Sequence, residues 1–446
     1  MTHRLDELAS RLRAELRADG ALPVTGFATD HREVAPGDLF LAIRGAKFDG
    51  HDFAAAAVAA GAVAVLAERP VDVPHLRVDN LVEALSRMAA SFRSEFEGPV
   101  VGITGSAGKT TTKEFVAAAL EPIGPVLKTR GNRNSEFTAP LLWAELAGHR
   151  AAVVEMAMRG FGQIAHLASF SLPTMGIVTN IGWSHLEMVG SREGIAQAKG
   201  ELLEALPPEG TALIWAEDDY ADVLRTKAER IRTFGFSEVA DCRIERFESL
   251  SPRQGWVAGY VDEERWETTL PGIGRHIALN AAAAVLAAVQ LGIGAQDAAT
   301  RIGEAQLPGL RMEVRDIGGV QVIVDTYNSA PPAVIAALEA LADLPCEGRR
   351  LAVLGQMNEL GDYAEEAHRS VGRALANFGI EEALTIGEFA RWISESAAEA
   401  GLRRVRHTSS LEDVRAFLES ARPGDLVLVK GSRALGLERA LPGGSE

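Results

Sequence analysis

Cysteine is almost missing. Cys242 and Cys346 are the only two among 446 residues, far apart and without the spacing of metal ligands. That excludes a disulfide framework and fits two reduced thiols in a cytoplasmic protein. Long apolar runs are missing too. The longest Ala/Val stretches are broken by Gly, or by Asn280 and Gln290, and none reaches spanning length. The N-terminal MTHRLDELASRLRAEL is charged and amphipathic rather than a signal peptide. No membrane insertion is expected, and the expected location is cytoplasmic. Positive charge is in deficit as well: 45 Lys and Arg face 61 Asp and Glu, for a net charge of −16. A general nucleic-acid binder would show a basic footprint, so no nucleic-acid partner is expected. Anionic nucleotides stay open, because the field inside a cleft can oppose the global charge. There is no repeat of solenoid period and no low-complexity segment.

What is present is a soluble, globular balance, 47% hydrophobic and 24% charged, with length for two to four domains. The chain is organised around VVGITGSAGKTTTKEF, from Val100 to Phe115. An apolar strand runs into a turn holding Gly105, Ser106, Ala107 and Gly108; Lys109, Thr110 and Thr111 then open a helix. Glycine removes the Cβ where backbone must approach oxygen atoms, and the N–H groups of the helix start point at an anion. Lys109 would reach the β/γ-phosphates, and the Thr110 hydroxyl would hold Mg²⁺. The usual first glycine of such a loop is replaced by Ile103, leaving the shorter G-x-x-G-K-T form.

Residues 1–97 precede this loop as a unit of their own. A helix is followed by ATDHREVAPGDLFLAIRGAKFDGHDF, in which DLFLAI reads as a strand between two polar turn clusters. Ser91 to Pro99 reads as a linker. Residues 98–314 alternate strands such as AAVVEMA and TMGIVTNI with helices, which implies a parallel sheet covered on both faces. Residues 243–270 read as short strands of an antiparallel extension, and His276 to Gly292 as a strong helix. Residues 315–446 repeat the alternation, giving a second open α/β sheet of about five strands. The expected fold class is therefore α/β throughout.

Ligands sit beyond the carboxyl ends of such strands, and two residues fall there. Glu155 ends an apolar strand, where a desolvated carboxylate would hold a metal or a salt bridge. His185 lies past another strand end and could be structural or serve magnesium or phosphate. Lys199 sits in REGIAQAKGELLEAL, and spacing alone reads it as a solvated helix lysine.

Taken together, TGSAGKTTTK, GNRNSEFTAPL, VVEMAMRGFGQI, NIGWSHLEMVGSREGIAQAKGEL, PGLRMEV, VDTYNSAPPA, LGQMNELGDYAEEAH and VLVKGSRALGLE follow the order of the Mur ligases. Over nearly its whole length the chain resembles that family, and within it the branch that adds D-Ala-D-Ala. The resemblance implies three domains: one for the UDP end of a muramoyl peptide, a central P-loop domain with a parallel sheet, and a C-terminal Rossmann-like domain for the incoming dipeptide. It implies ATP-driven activation of the carboxylate of UDP-MurNAc-tripeptide to an acyl phosphate, attack by D-Ala-D-Ala, and action as a monomer. By the same resemblance Lys109 and Thr110 serve the γ-phosphate and the first of two Mg²⁺. Glu155 and His185 are metal ligands, and Lys199 becomes a carbamate ligand for the second Mg²⁺. Asn280 lies on the adenine side, Arg311 reaches the nucleotide phosphates, and Asp325 reaches the ribose hydroxyls. Thr29, Asp30, Arg32, Phe48, Asp49 and Gly50 belong to the UDP-sugar block, and Asn134 to the muramoyl-peptide contacts. Asn328 falls in the D-x-Y-N motif of the D-Ala-D-Ala branch, while Lys430 and Ser432 face the active site on domain closure.

The chain departs from the pattern at His31, Ser135, Thr138, Gln163, Ser329 and Ala330, none of them in the ATP and metal set. Two rivals remain at this level. One is the branch that adds a diamino acid to the dipeptide precursor, whose D-N-P-R signature is absent. The other is a nucleotide-binding regulator without catalysis, which the joint presence of Lys109, Glu155, His185 and Lys199 disfavours.

Overall fold

The structure is a computed structural model that describes residues 2–45, 47–183 and 186–441. The chain divides into two compact units. The first comprises residues 1–102, 123–157 and 163–173, and the second residues 103–122, 158–162 and 174–446.

In the first unit, strands Glu15–Arg17, His75–Arg77, Ala64–Ala67, Asp38–Leu41 and Gly26–Ala28 form a five-stranded sheet in that order. All neighbours are parallel except Glu15–Arg17 against His75–Arg77. Every residue of Asp38–Leu41 and Ala64–Ala67 is buried, as central parallel strands require. The N-terminal helix is shorter than its amphipathic sequence suggests: it covers Leu5–Leu12 and stops at Arg13, whose φ is 54°. The segment expected as a linker from Ser91 is partly helical. Helix Leu81–Arg93, capped by the Asn80 side chain accepting from Glu83 N at 3.0 Å, carries its apolar face through Phe92. Strand Ala151–Glu155 pairs in parallel with Val126–Lys128.

Strand Val100–Thr104, buried along its length, is shared: its first three residues go with the first unit and its last two with the second. In the second unit the order runs from this strand through Met175–Val178, Thr211–Trp215 and Arg230–Gly235 to Cys242–Ser251, Gln254–Val261 and Glu264–Pro271. The last three strands are the expected antiparallel extension. Helix Arg275–Gln290, buried over most of its alanine-rich length, covers this sheet.

The C-terminal sheet has six strands rather than about five: Glu313–Ile317, Val320–Asp325, Leu426–Lys430, Arg350–Gly355, Glu382–Ile386 and Val405–Thr408 in that order. The first is an antiparallel edge. Its charged sequence EVRDI hides the strand from an apolar-run criterion, because an edge strand needs only one buried face. The other pairings are parallel. No helix among the described residues is long and apolar enough to cross a membrane.

Candidate active site

The phosphate loop leaves the carboxyl end of Val100–Thr104 and enters helix Lys109–Ala119. Its two glycines are required by geometry. Gly105 has φ 150°, and a Cβ there would collide with the Thr179 hydroxyl; Gly108 has φ 80°, and a Cβ would lie 2.6 Å from Asn280 Oδ1. Gly108 is the N-cap, and no side chain caps the helix. A helix N-terminus of this kind favours an anion through its backbone N–H groups and its dipole.

The loop is held from behind by the neighbouring strand end. Ala107 N donates to Asn180 Oδ1 at 3.0 Å, and Asn180 Nδ2 donates back to the Ala107 carbonyl at 3.1 Å. The Thr179 hydroxyl also donates to Ala107 O, at 2.5 Å. Ser106 N donates to Asn180 O at 3.0 Å, and Gly182 N donates to Ser106 Oγ at 2.8 Å. Thr179, Asn180 and Gly182 thus shape the loop, a role that their place in TNIGWSHLE does not reveal. Thr110, the expected metal hydroxyl, is buried at the helix start, and Asn280 is buried beside Gly108.

Two lysines converge on one carbonyl. Lys109 Nζ donates to Gly105 O at 2.8 Å, and Lys199 Nζ donates to the same oxygen at 3.0 Å. Lys199 comes from helix Arg192–Glu204, which is N-capped by Ser191 Oγ accepting from Gly194 N at 3.0 Å. It is 2% exposed, so the solvated helix lysine expected from spacing is corrected. Ile195, Ala196, Leu202 and Leu203, three or four residues away along the helix, are buried on the same face. Burial, followed by repulsion from Lys109, holds the Lys199 pKa well below the ordinary lysine value. Burial and a like charge both favour the neutral amine, the form that reacts with CO₂. The site therefore fits the carbamate that the family resemblance implies.

Glu155 is the last residue of its strand and 3% exposed. Asn134 Nδ2 donates to its Oε1 at 2.9 Å, and its backbone N–H donates to Thr129 Oγ1 at 3.0 Å. Asn134 and Glu155, named separately from the sequence, are thus direct partners. His185 lies outside the described residues. Among the described residues no group of three or more His, Cys, Asp or Glu could hold a metal ion.

In the C-terminal sheet Asp325 and Lys430 end adjacent strands and are register partners. Lys430 Nζ donates to Asp325 Oδ2 at 2.5 Å and to the Asn328 carbonyl at 3.0 Å. Lys430 is thus a buried pin beneath Asp325 and the Asn328 turn. The His276 pKa is pushed down to about 4 by burial, with Asp325 raising and Lys430 lowering it. Nothing in the sequence flagged His276. The Arg311 guanidinium stacks on the Tyr327 ring, 3.9 Å from its centroid. Ser432 Oγ accepts from Asn358 Nδ2 at 3.2 Å.

In the UDP-sugar block, Asp30 caps the turn His31–Glu33 by accepting from Arg32 N at 3.0 Å. The Arg32 guanidinium, followed by that backbone bond, pulls the Asp30 pKa down. Thr29 is exposed beside it. Asp49 accepts from the backbone and ring of His51, and those two bonds lower its pKa to about 2. Phe48 is 71% exposed. At Gly50 a Cβ would lie 2.6 Å from Ile43 N.

Several departures find partners. His31 stacks on Phe53 at 4.4 Å between centroids. Ser135 Oγ and Thr138 Oγ1 hydrogen-bond each other at 3.0 Å. Gln163 opens helix Gln163–Ser171. Ala330 is the N-cap of helix Pro331–Asp343 and gives it no side-chain cap, while Ser329 is buried beside it.

Comparison with known proteins places these features. Residues 103–288 match the Mur ligase middle domain, residues 310–433 the glutamate ligase domain of Mur ligases, and residues 23–131 the Mur ligase family catalytic domain. A UDP-N-acetylmuramoyl-tripeptide–D-alanyl-D-alanine ligase of Synechocystis is 38% identical over 93% of this chain and 90% of its own length. The crystal structure of MurF from Acinetobacter baumannii superposes with a TM-score of 0.88 at 29% identity, covering 99% of this chain and 98% of that one. MurF from Thermotoga maritima, solved in complex with ADP, gives 0.81 at 31% identity over 93% and 95%.

Proposed function

The chain belongs to the Mur ligase family, and we propose that it joins D-alanyl-D-alanine to UDP-N-acetylmuramoyl-tripeptide at the expense of ATP, forming the pentapeptide precursor of peptidoglycan. One observation carries this: the 38% identity to a ligase of that name extends over 93% of the chain. We further propose three domains at residues 1–97, 98–314 and 315–446, a single-chain enzyme, and a cytoplasmic location.

The chemistry follows from the chain's own groups. The open start of helix Lys109–Ala119, after Gly105, Ser106, Ala107 and Gly108, receives the ATP phosphates, and Lys109 opposes charge on the transferred phosphoryl group. Thr111 belongs to the same turn. A tripeptide carboxylate oxygen attacks the γ-phosphorus and ADP leaves. The D-Ala-D-Ala amine then attacks the acyl phosphate; the tetrahedral intermediate expels phosphate, and the amine loses its proton to give the amide. Asn280, packed on Gly108, is assigned to the adenine, Arg311 to the phosphates and Asp325 to the ribose. Thr29, Asp30, Arg32, Phe48, Asp49 and Gly50 are assigned to the UDP-sugar, Asn134 to the muramoyl peptide, and Asn328, Lys430 and Ser432 to the dipeptide side.

Magnesium, when bound, would neutralise the phosphoryl oxygens. Thr110 and a carbamate on Lys199 are its proposed ligands in the second unit, and Glu155 and His185 keep the ligand roles that the family resemblance gives them. The carbamate forms when the Lys199 amine adds to CO₂ and releases a proton, which needs the neutral amine that burial supplies.

The test is an amide-forming assay with ATP, Mg²⁺, UDP-MurNAc-tripeptide and D-Ala-D-Ala, read by mass spectrometry. UDP-MurNAc-pentapeptide is expected. Product only with a diamino acid on the dipeptide precursor would overturn the assignment, as would no product at all.

A further inference from the structure

The segment that braces the phosphate loop continues into the C-terminal domain. Gly182 N donates to Ser106 Oγ, and the next residue, Trp183, reaches across to the C-terminal segment. It packs against an apolar cluster that includes Ile273 as well as Val334, Met357 and Leu360 of the C-terminal segment. Its ring meets Tyr363 edge to face, with centroids 6.0 Å apart and planes at 77°. On its other side is Arg192, 5.8 Å from the Trp183 centroid and 5.0 Å from that of Tyr220. Arg192 also donates to Ile181 O at 3.1 Å and to Asp219 at 2.7 Å. Ile181 N in turn donates to Asp218 Oδ2 at 2.7 Å. The backbone just before Gly182 is therefore fixed from the central domain at Ile181.

The C-terminal domain brings a matching loop. Gly361 has φ 54°, and a Cβ there would lie 3.5 Å from Glu187 Cβ; Glu359 has φ 62°. These left-handed positions turn the loop so that Tyr363 reaches Trp183. Tyr363 is still 45% exposed, an unusual state for a large ring unless the contact it makes is worth keeping at a boundary. The aromatic pair supplies specific geometry beyond area burial.

We propose that Trp183 and Tyr363 form a clasp that seats the C-terminal domain on the segment bracing the phosphate loop, making both positioning residues for ligation. The proposal rests on the ligase assignment. When the pair is engaged, the domain that delivers the dipeptide amine is registered, through Gly182 and Ser106, to the loop that holds the ATP phosphates. The clasp reaches the loop proposed for ATP through Gly182 and Ser106, and it is expected to act on the joined reaction rather than on nucleotide affinity.

The test is a double-mutant cycle in the full-length enzyme. Trp183→Ala and Tyr363→Ala should each lower kcat by about three- to tenfold, the worth of an aromatic pair. The double variant should fall no further than the stronger single one, because both remove the same contact. Tyr363→Ala reaches the contact from the far side without altering the Gly182–Trp183 backbone, and Trp183→Phe should keep most of the rate. The ATP dissociation constant should stay within about twofold in every variant. Losses that multiply in the double variant, or an unchanged kcat in Trp183→Ala, overturn the clasp while leaving a wild-type enzyme that makes pentapeptide. A wild type that makes none overturns the ligase assignment, and the clasp with it.

Discussion

Two buried lysines, each 2% exposed, have opposite electrostatic surroundings. Lys430 lies against the Asp325 carboxylate and accordingly serves as a charged pin between two strand ends. Lys199 donates to a peptide carbonyl, and the charge that acts on it is that of another lysine. Equal burial therefore pairs one lysine with a carboxylate and sets the other beside a like charge, which with burial lowers its pKa. The partner decides, because a low-dielectric site tolerates a charge only when an opposite charge compensates its lost hydration.

The difference can be broken most severely at the shared carbonyl. Lys109→Ala should reduce the ligation rate by about two to three orders of magnitude, since it removes the positive charge facing the phosphoryl oxygens; stopped or steady-state phosphate release measures it. Lys199→Ala should cause a loss of similar order, but with partial recovery in added short carboxylates, which stand in for the carbamate oxygens. A ¹³CO₂-derived carbamate resonance in the wild type should vanish in the same variant. Full activity in Lys199→Ala would remove the carbamate from the mechanism. Lys430→Met should behave otherwise: no carboxylate rescue, and a stability loss of about 2 kcal/mol in denaturant unfolding, because the partly buried Asp325 loses its cation. Lys430→Met combined with Asp325→Asn should regain part of it.

A pH titration sharpens the same contrast. The folded Lys199 pKa lies below its unfolded value of 10.5, so in CO₂-free buffer the unfolded chain binds the extra proton between the two values. Stability from this group therefore rises with pH across that window and levels off above the unfolded pKa. Lys199→Met should flatten the rise, and an unchanged slope would argue against a depressed pKa. The smallest effect is expected at Ser191→Ala, which uncaps the Lys199 helix: about 1 kcal/mol of stability, with kcat little changed.

Much of the site was legible before the fold. The phosphate loop announced itself because glycine, lysine and threonine at that spacing, between a strand and a helix, serve one kind of ligand. Glu155 stood out as a lone carboxylate on an apolar strand. Lys199 was misjudged by spacing, since a helix lysine looks the same whether its face meets water or a loop. The sixth C-terminal strand was missed because an edge strand can be mostly charged. Trp183, His276 and Asn180 gave no local sign of their contacts.

The sequence by itself determined the order of strands and helices, the left-handed glycines of the phosphate loop and the family to which the chain belongs. All of these depend on local sterics or on motifs read along the chain. Only the tertiary structure decided which lysine faces a like charge and which is paired with a carboxylate, that Lys109 and Lys199 share the Gly105 carbonyl, and that Trp183 meets Tyr363. A pKa and a ring contact depend on what lies nearby in space, and those neighbours are 90 residues away for Lys109 and Lys199 and 180 for Trp183 and Tyr363.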